Sequence, residues 1–79
     1  MRTRKHNAQF AICLSAHEEE DLQEGEVYRV LPDAQAAEVE CLRIVDESGE
    51  DYLYSSTRFV LVDVPAQAQG RLLEIVGKE

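Results

Sequence analysis

Residues 41–54 read Cys-Leu-Arg-Ile-Val-Asp-Glu-Ser-Gly-Glu-Asp-Tyr-Leu-Tyr. Two short runs rich in β-branched and aromatic residues flank a Ser-Gly pair set among four acids. The glycine lets the backbone reverse, and the acids hold the tip in water. The stretch therefore predicts a β-hairpin, Cys41-Leu42-Arg43-Ile44-Val45 running out and Tyr52-Leu53-Tyr54 returning. Strand alternation places Tyr52 and Tyr54 on one face and Leu53 on the other. If Leu53 faces inward, the tyrosines form an exposed patch beside Phe59. Otherwise they cap the ends of the fold, with their hydroxyls at the surface.

Upstream, Glu26-Val27-Tyr28-Arg29-Val30-Leu31 alternates as a strand, with Tyr28 and Val30 on one side, and Pro32-Asp33 stops it. Phe10-Ala11-Ile12-Cys13-Leu14 predicts an earlier strand. It is able to bury both faces, or one face through Phe10, Ile12 and Leu14. The charge run between them, residues 17–24, reads as a solvated loop pinned by Leu22, because four consecutive acids repel one another in a helix. Residues 34–39 have helical composition but span under two turns, so they are a helical turn or a plain loop.

Downstream, Ser55-Ser56-Thr57-Arg58 suits a single 3₁₀ turn, and Phe59-Val60-Leu61-Val62-Asp63-Val64 is the most strand-like segment. Pro65 ends that strand and opens a helix over residues 66–76, with Ala68, Leu72, Ile75 and Val76 at helical spacing and Gly70 weakening it by about 1 kcal/mol. Five short strands with turns between them predict a mainly β fold, an antiparallel meander curled into a five-stranded barrel. Residues 1–8 form a flexible basic arm, 9–64 the barrel, and 65–79 a short helix and tail.

Composition narrows the function. The chain has 79 residues, 8 Lys plus Arg and 16 Asp plus Glu, for a net charge of −8. Such a surplus repels phosphate backbones and argues against general nucleic-acid binding, unless Arg29, Arg43 and Arg58 converge on one face. No apolar run approaches the roughly 18–20 residues of a membrane span, and the basic start is too short and polar for a signal peptide. Cys13 and Cys41 are too few for a disulfide framework, so a reducing cytoplasm with both thiols free is expected. A metal set of Cys13, His17 and Cys41 lacks paired spacing and a fourth ligand. Ser15 and His17 lack an orienting acid, and no two carboxylates are set in contrasting environments, so no enzyme, cofactor or small-molecule ligand is implied. The acids at 18–21 serve solubility, recognition of a basic segment or, without the twelve-residue EF-hand spacing, a hard cation. Those at 46–51 read as solvation of a hairpin tip.

The order of these features resembles an SH3-like barrel over residues 10–64. The stretch Glu18-Glu19-Glu20-Asp21-Leu22 followed by Gly25-Glu26-Val27-Tyr28 is similar to that family's acidic loop and second strand. The stretch Tyr52-Leu53-Tyr54-Ser55-Ser56-Thr57-Arg58-Phe59-Val60 is similar to its 3₁₀ turn and last strand. The chain is also similar in this to small uncharacterised bacterial proteins. The family's proline-rich peptide recognition depends on aromatic walls. Here there is no Trp, Leu14-Ser15-Ala16 replaces the Tyr-rich motif, and Ser55 replaces the turn proline. What remains is the acidic run and Phe59. The expectation is a non-enzymatic interaction module whose partner is another, basic, protein segment, bound through Glu19, Asp21, Tyr54 and Phe59.

Overall fold

Alternating apolar residues and tight turns bring the chain into one antiparallel sheet. The computed structural model describes residues 9–76; the expected basic arm, residues 1–8, lies outside them. The strands are β1 (Gln9–Cys13), β2 (Val27–Leu31), β3 (Cys41–Val45), β4 (Asp51–Ser55) and β5 (Phe59–Val62). Their spatial order is β4-β3-β2-β1-β5, so β4 and β5 are the two edges of a curled half-barrel. The mainly β architecture expected from the sequence is present, with a 3₁₀ turn (Ser56–Arg58) ahead of β5 and a C-terminal helix.

Register decides which face is buried. Ala11 pairs with Tyr28, Val30 with Ile44, and Cys13 with Phe59. These side chains share one face and, with Leu22 from the loop, form the core; Ala16, Leu42 and Tyr54 pack against it. On β1 the two-faced alternative holds. Ala11 and Cys13 enter this core, and Phe10, fully buried, lies on the opposite face against Arg29 and Val62. Leu14, expected with Phe10, is exposed.

Residues 34–39 resolve as the helical turn α1 (Ala34–Glu38). Such a short helix forms because Asp33, beyond ending β2, caps it: Oδ1 accepts from the Gln35 and Ala36 amides, both at 3.0 Å. Glu40 leaves the turn in the left-handed region (φ 58°), a position glycine usually fills. Helix α2 (Ala66–Val76) has the expected bounds. Its half-buried stripe is Ala68, Gln69, Leu72, Leu73 and Val76, and Ile75, expected on that face, is exposed. β5 ends at Val62, two residues earlier than expected, and its Val60 and Leu61 stay largely exposed at the sheet edge. Among the described residues no helix is long and apolar enough to cross a membrane.

Candidate protein-docking face

The long loop between β1 and β2 carries the acidic run, and four contacts fix it. At its root the Gly25 amide donates to the Cys13 carbonyl at 2.7 Å, with Gly25 at φ +87° making the bend. Leu22 anchors the middle in the core, 5% exposed. The buried Tyr28 hydroxyl accepts from the Gln23 amide and donates to the Glu47 carboxylate, each at 2.7 Å. Burial, and then Glu47, push the Tyr28 phenol well above its ordinary pKa. Lastly, the Glu47 amide donates to the Asp21 carbonyl at 2.9 Å. This last bond ties the loop to the β3–β4 hairpin, so the two acidic segments lie side by side in the fold.

Tyr28→Phe tests this junction. It leaves the Gln23 amide and Glu47 without the shared hydroxyl, so urea unfolding should show a loss of about 1–2 kcal/mol. A neutral result would remove the hydroxyl as the tie between loop and hairpin.

Arg58 holds the other side of the loop. Its guanidinium donates to the Ser15 carbonyl through Nε (3.1 Å) and Nη2 (2.9 Å), and it forks onto both Glu20 oxygens. It also lies 5.4 Å from the Tyr54 ring centroid, a cation–π contact. The Arg58 hydrogen bond holds the Glu20 carboxyl down at about 2, and Glu20 in turn raises Arg58. Tyr54 packs on Phe59 with ring centroids 5.9 Å apart. Burial, with Asp46 nearby, pushes its phenol up to about 12.

The hairpin acids do more than solvate a tip. Asp46 is 6% exposed, and its Oδ1 accepts from the Ser48 amide at 3.0 Å and from the Ser48 hydroxyl. Glu50 accepts from the Tyr52 hydroxyl, which raises the Tyr52 phenol, with Asp46 and Asp21 adding to the effect. Asp51 pairs with Arg43 at 2.9 Å.

No known protein family, curated protein or solved structure matches this chain. Its own residues therefore carry the functional reading. Of the expected binding residues, Glu19 and Asp21 are exposed, and among the described residues neither carboxylate has a hydrogen-bond or ion-pair partner. Tyr54 is half-buried under Arg58, and Phe59 is a core residue at 5% exposure, so the pair is not an open surface patch. Leu53 does not point inward. It pairs with Arg43 on the face opposite the core, and Tyr52 and Tyr54 share the core-side face. The open aromatic is Tyr52, 48% exposed, beside the hairpin turn.

The cations do not gather. Arg43 is held by Asp33 (2.7 Å) and Asp51, and Arg58 by Glu20, which leaves Arg29 the exposed member of the three. Among the described residues no group of three His, Cys, Asp or Glu is arranged to hold a metal. Cys13 is buried and Cys41 is half-buried on β3.

Proposed function

We propose that this chain is a non-enzymatic, cytoplasmic, SH3-like module that docks a basic protein segment on the face made by its acidic loop and hairpin. The Glu47–Asp21 backbone bond is the observation that carries this reading. It sets the loop run that holds Glu18, Glu19 and Asp21 beside the hairpin that carries Glu47, Glu50 and the exposed Tyr52, whose phenol bonds Glu50 and feels the charges of Asp46 and Asp21. A lysine- or arginine-rich segment suits such a face, because carboxylates steer and pair its heads while the ring takes an aliphatic stem or a cation over its surface. The order of five strands with a 3₁₀ turn before the last one supports the SH3-like description.

Double charge reversal, Glu19→Lys with Asp21→Lys, should weaken binding of a fluorescent lysine/arginine-rich peptide at least tenfold, or about 1.4 kcal/mol. Glu38→Lys on α1 should change it little. Fluorescence anisotropy at low and high salt is the measurement. Equal affinity of the reversed and native proteins, or no binding by the native protein, would overturn the reading. Retention of RNA or DNA at low salt would point to a nucleic-acid partner instead.

A further inference from the structure

The sheet ends in two edge strands that differ in charge. β4 opens on Asp51 behind Glu50, and these acids repel a second chain of charge −8. β5 carries neither charge nor proline, and its Val60 and Leu61 are exposed, as is Leu14 just past the end of β1. We propose that β5 is a self-pairing edge: two copies of this chain join β5 to β5, antiparallel about a two-fold axis at Leu61, into one continuous sheet.

The backbone fixes that register. Carrying the β1–β5 pairing one step further sets Leu14 opposite Arg58, and the Leu14 amide donates to the Arg58 carbonyl at 2.7 Å. Cys13, one residue earlier, turns its amide and carbonyl toward β2 instead, to Glu26 and Gly25. Bonded and unbonded pairs alternate along an antiparallel ladder, so Val60 and Val62 bond toward β1 while Phe59 and Leu61 turn outward. The Phe59 amide is taken by the Ser56 carbonyl, but among the described residues no strand lies on the outer side of β5. Two-fold symmetry sets one residue opposite itself. Centred on Leu61, the copies exchange amide-to-carbonyl bonds there, and each Asp63 amide meets the Phe59 carbonyl of the other copy. The flanking charges agree with this direction. Arg58 precedes the strand and Asp63 follows it, so antiparallel pairing brings unlike ends together and parallel pairing brings like ends together. Beside the edge, an open cleft of about 420 Å³ lined by Leu61, Asp63, Phe10 and Gln69 leaves room for the second strand's side chains. Repulsion between two acidic bodies opposes the contact, so salt favours it, the reverse of basic-peptide docking.

Sedimentation velocity of the full chain tests the pairing. The contact is small, so the protein should be monomeric near about 10 μM and largely dimeric near about 1 mM, with added salt raising the dimer fraction. Leu61→Lys sets two ammonium groups face to face on the axis and should weaken the dimer about tenfold or more. Leu53→Lys on the β4 edge should leave it unchanged. Both positions are exposed, and circular dichroism checks that each variant folds. Amide hydrogen exchange on the native protein gives a second reading. Protection at Leu61 should rise several-fold between the two concentrations, and at Val60 and Val62, which already bond toward β1, it should change less. A monomer at about 1 mM overturns the proposal. So do an unaltered dimer in L61K, a dimer lost in L53K, Leu61 protection that ignores concentration, or open-ended oligomers in place of a dimer.

Discussion

Ile44→Ala should leave the protein close to unfolded. Ile44 is fully buried at the middle of β3, facing Val30 on one neighbour and Tyr52 on the other. Truncating such a residue costs about 2–5 kcal/mol, the lost transfer energy plus the cavity left behind. A domain of this size has about 5 kcal/mol in total, because its core is small. With a urea slope near 1 kcal/mol/M, the midpoint should fall by at least about 2 M. Leu61→Ala is the comparison. Leu61 has as many side-chain carbons as Ile44 but is 56% exposed on the edge strand, so its loss should cost under about 1 kcal/mol. If the two variants unfold alike, the core is not centred on β3.

Most of the framework behind that contrast is readable from local pattern. The hairpin over residues 41–54 announces itself through β-branched runs around Ser48-Gly49, and Pro65 marks the start of α2. Two-residue alternation also puts Tyr28 and Val30 on one face, the face that the fold buries. Alternation cannot say which face wins where both are mixed, and that is why the sequence leaves open whether the tyrosines form a patch beside Phe59. Phe59 is buried because its register opposite Cys13 directs it into the core beneath the loop, a fact of pairing rather than of sequence. Asp46 reads as one more solvated acid, yet it is buried by bonding Ser48 two residues on, a turn chemistry visible in the Asp-x-Ser spacing. Asp33 likewise has a legible signal, an N-cap residue immediately before Ala-Gln-Ala-Ala. Glu40 gives none, since its left-handed backbone occupies a place where glycine is the usual cue.

Arg58 is the residue with the least local signal and one of the largest expected effects, since its partners lie 38 and 43 residues away in sequence. Exposed ion pairs contribute little, but here the Arg58 and Glu20 side chains are only 18% and 23% exposed, and the guanidinium also satisfies the Ser15 carbonyl. Arg58→Gln leaves both groups unmatched, so the expected cost is about 2 kcal/mol. The pH dependence identifies the pair. Glu20 has a folded pKa of about 2, below its ordinary value, so its contribution is complete above roughly pH 4.5 and is lost as pH falls through about 2. The gap in urea midpoint between native and R58Q proteins should therefore narrow steadily from pH 5 to pH 2; a constant gap would assign the effect to lost packing on Tyr54. Binding separates geometry from charge. Removing a cation makes the protein more negative, and charge alone would tighten its hold on a basic peptide. Releasing Glu20 and Ser15 frees the loop that sets Asp21 against Glu47, and a disordered face binds less well. R58Q should thus weaken peptide binding despite its added negative charge, and tighter binding would mean that net charge, not the arrangement of the two acidic segments, governs recognition.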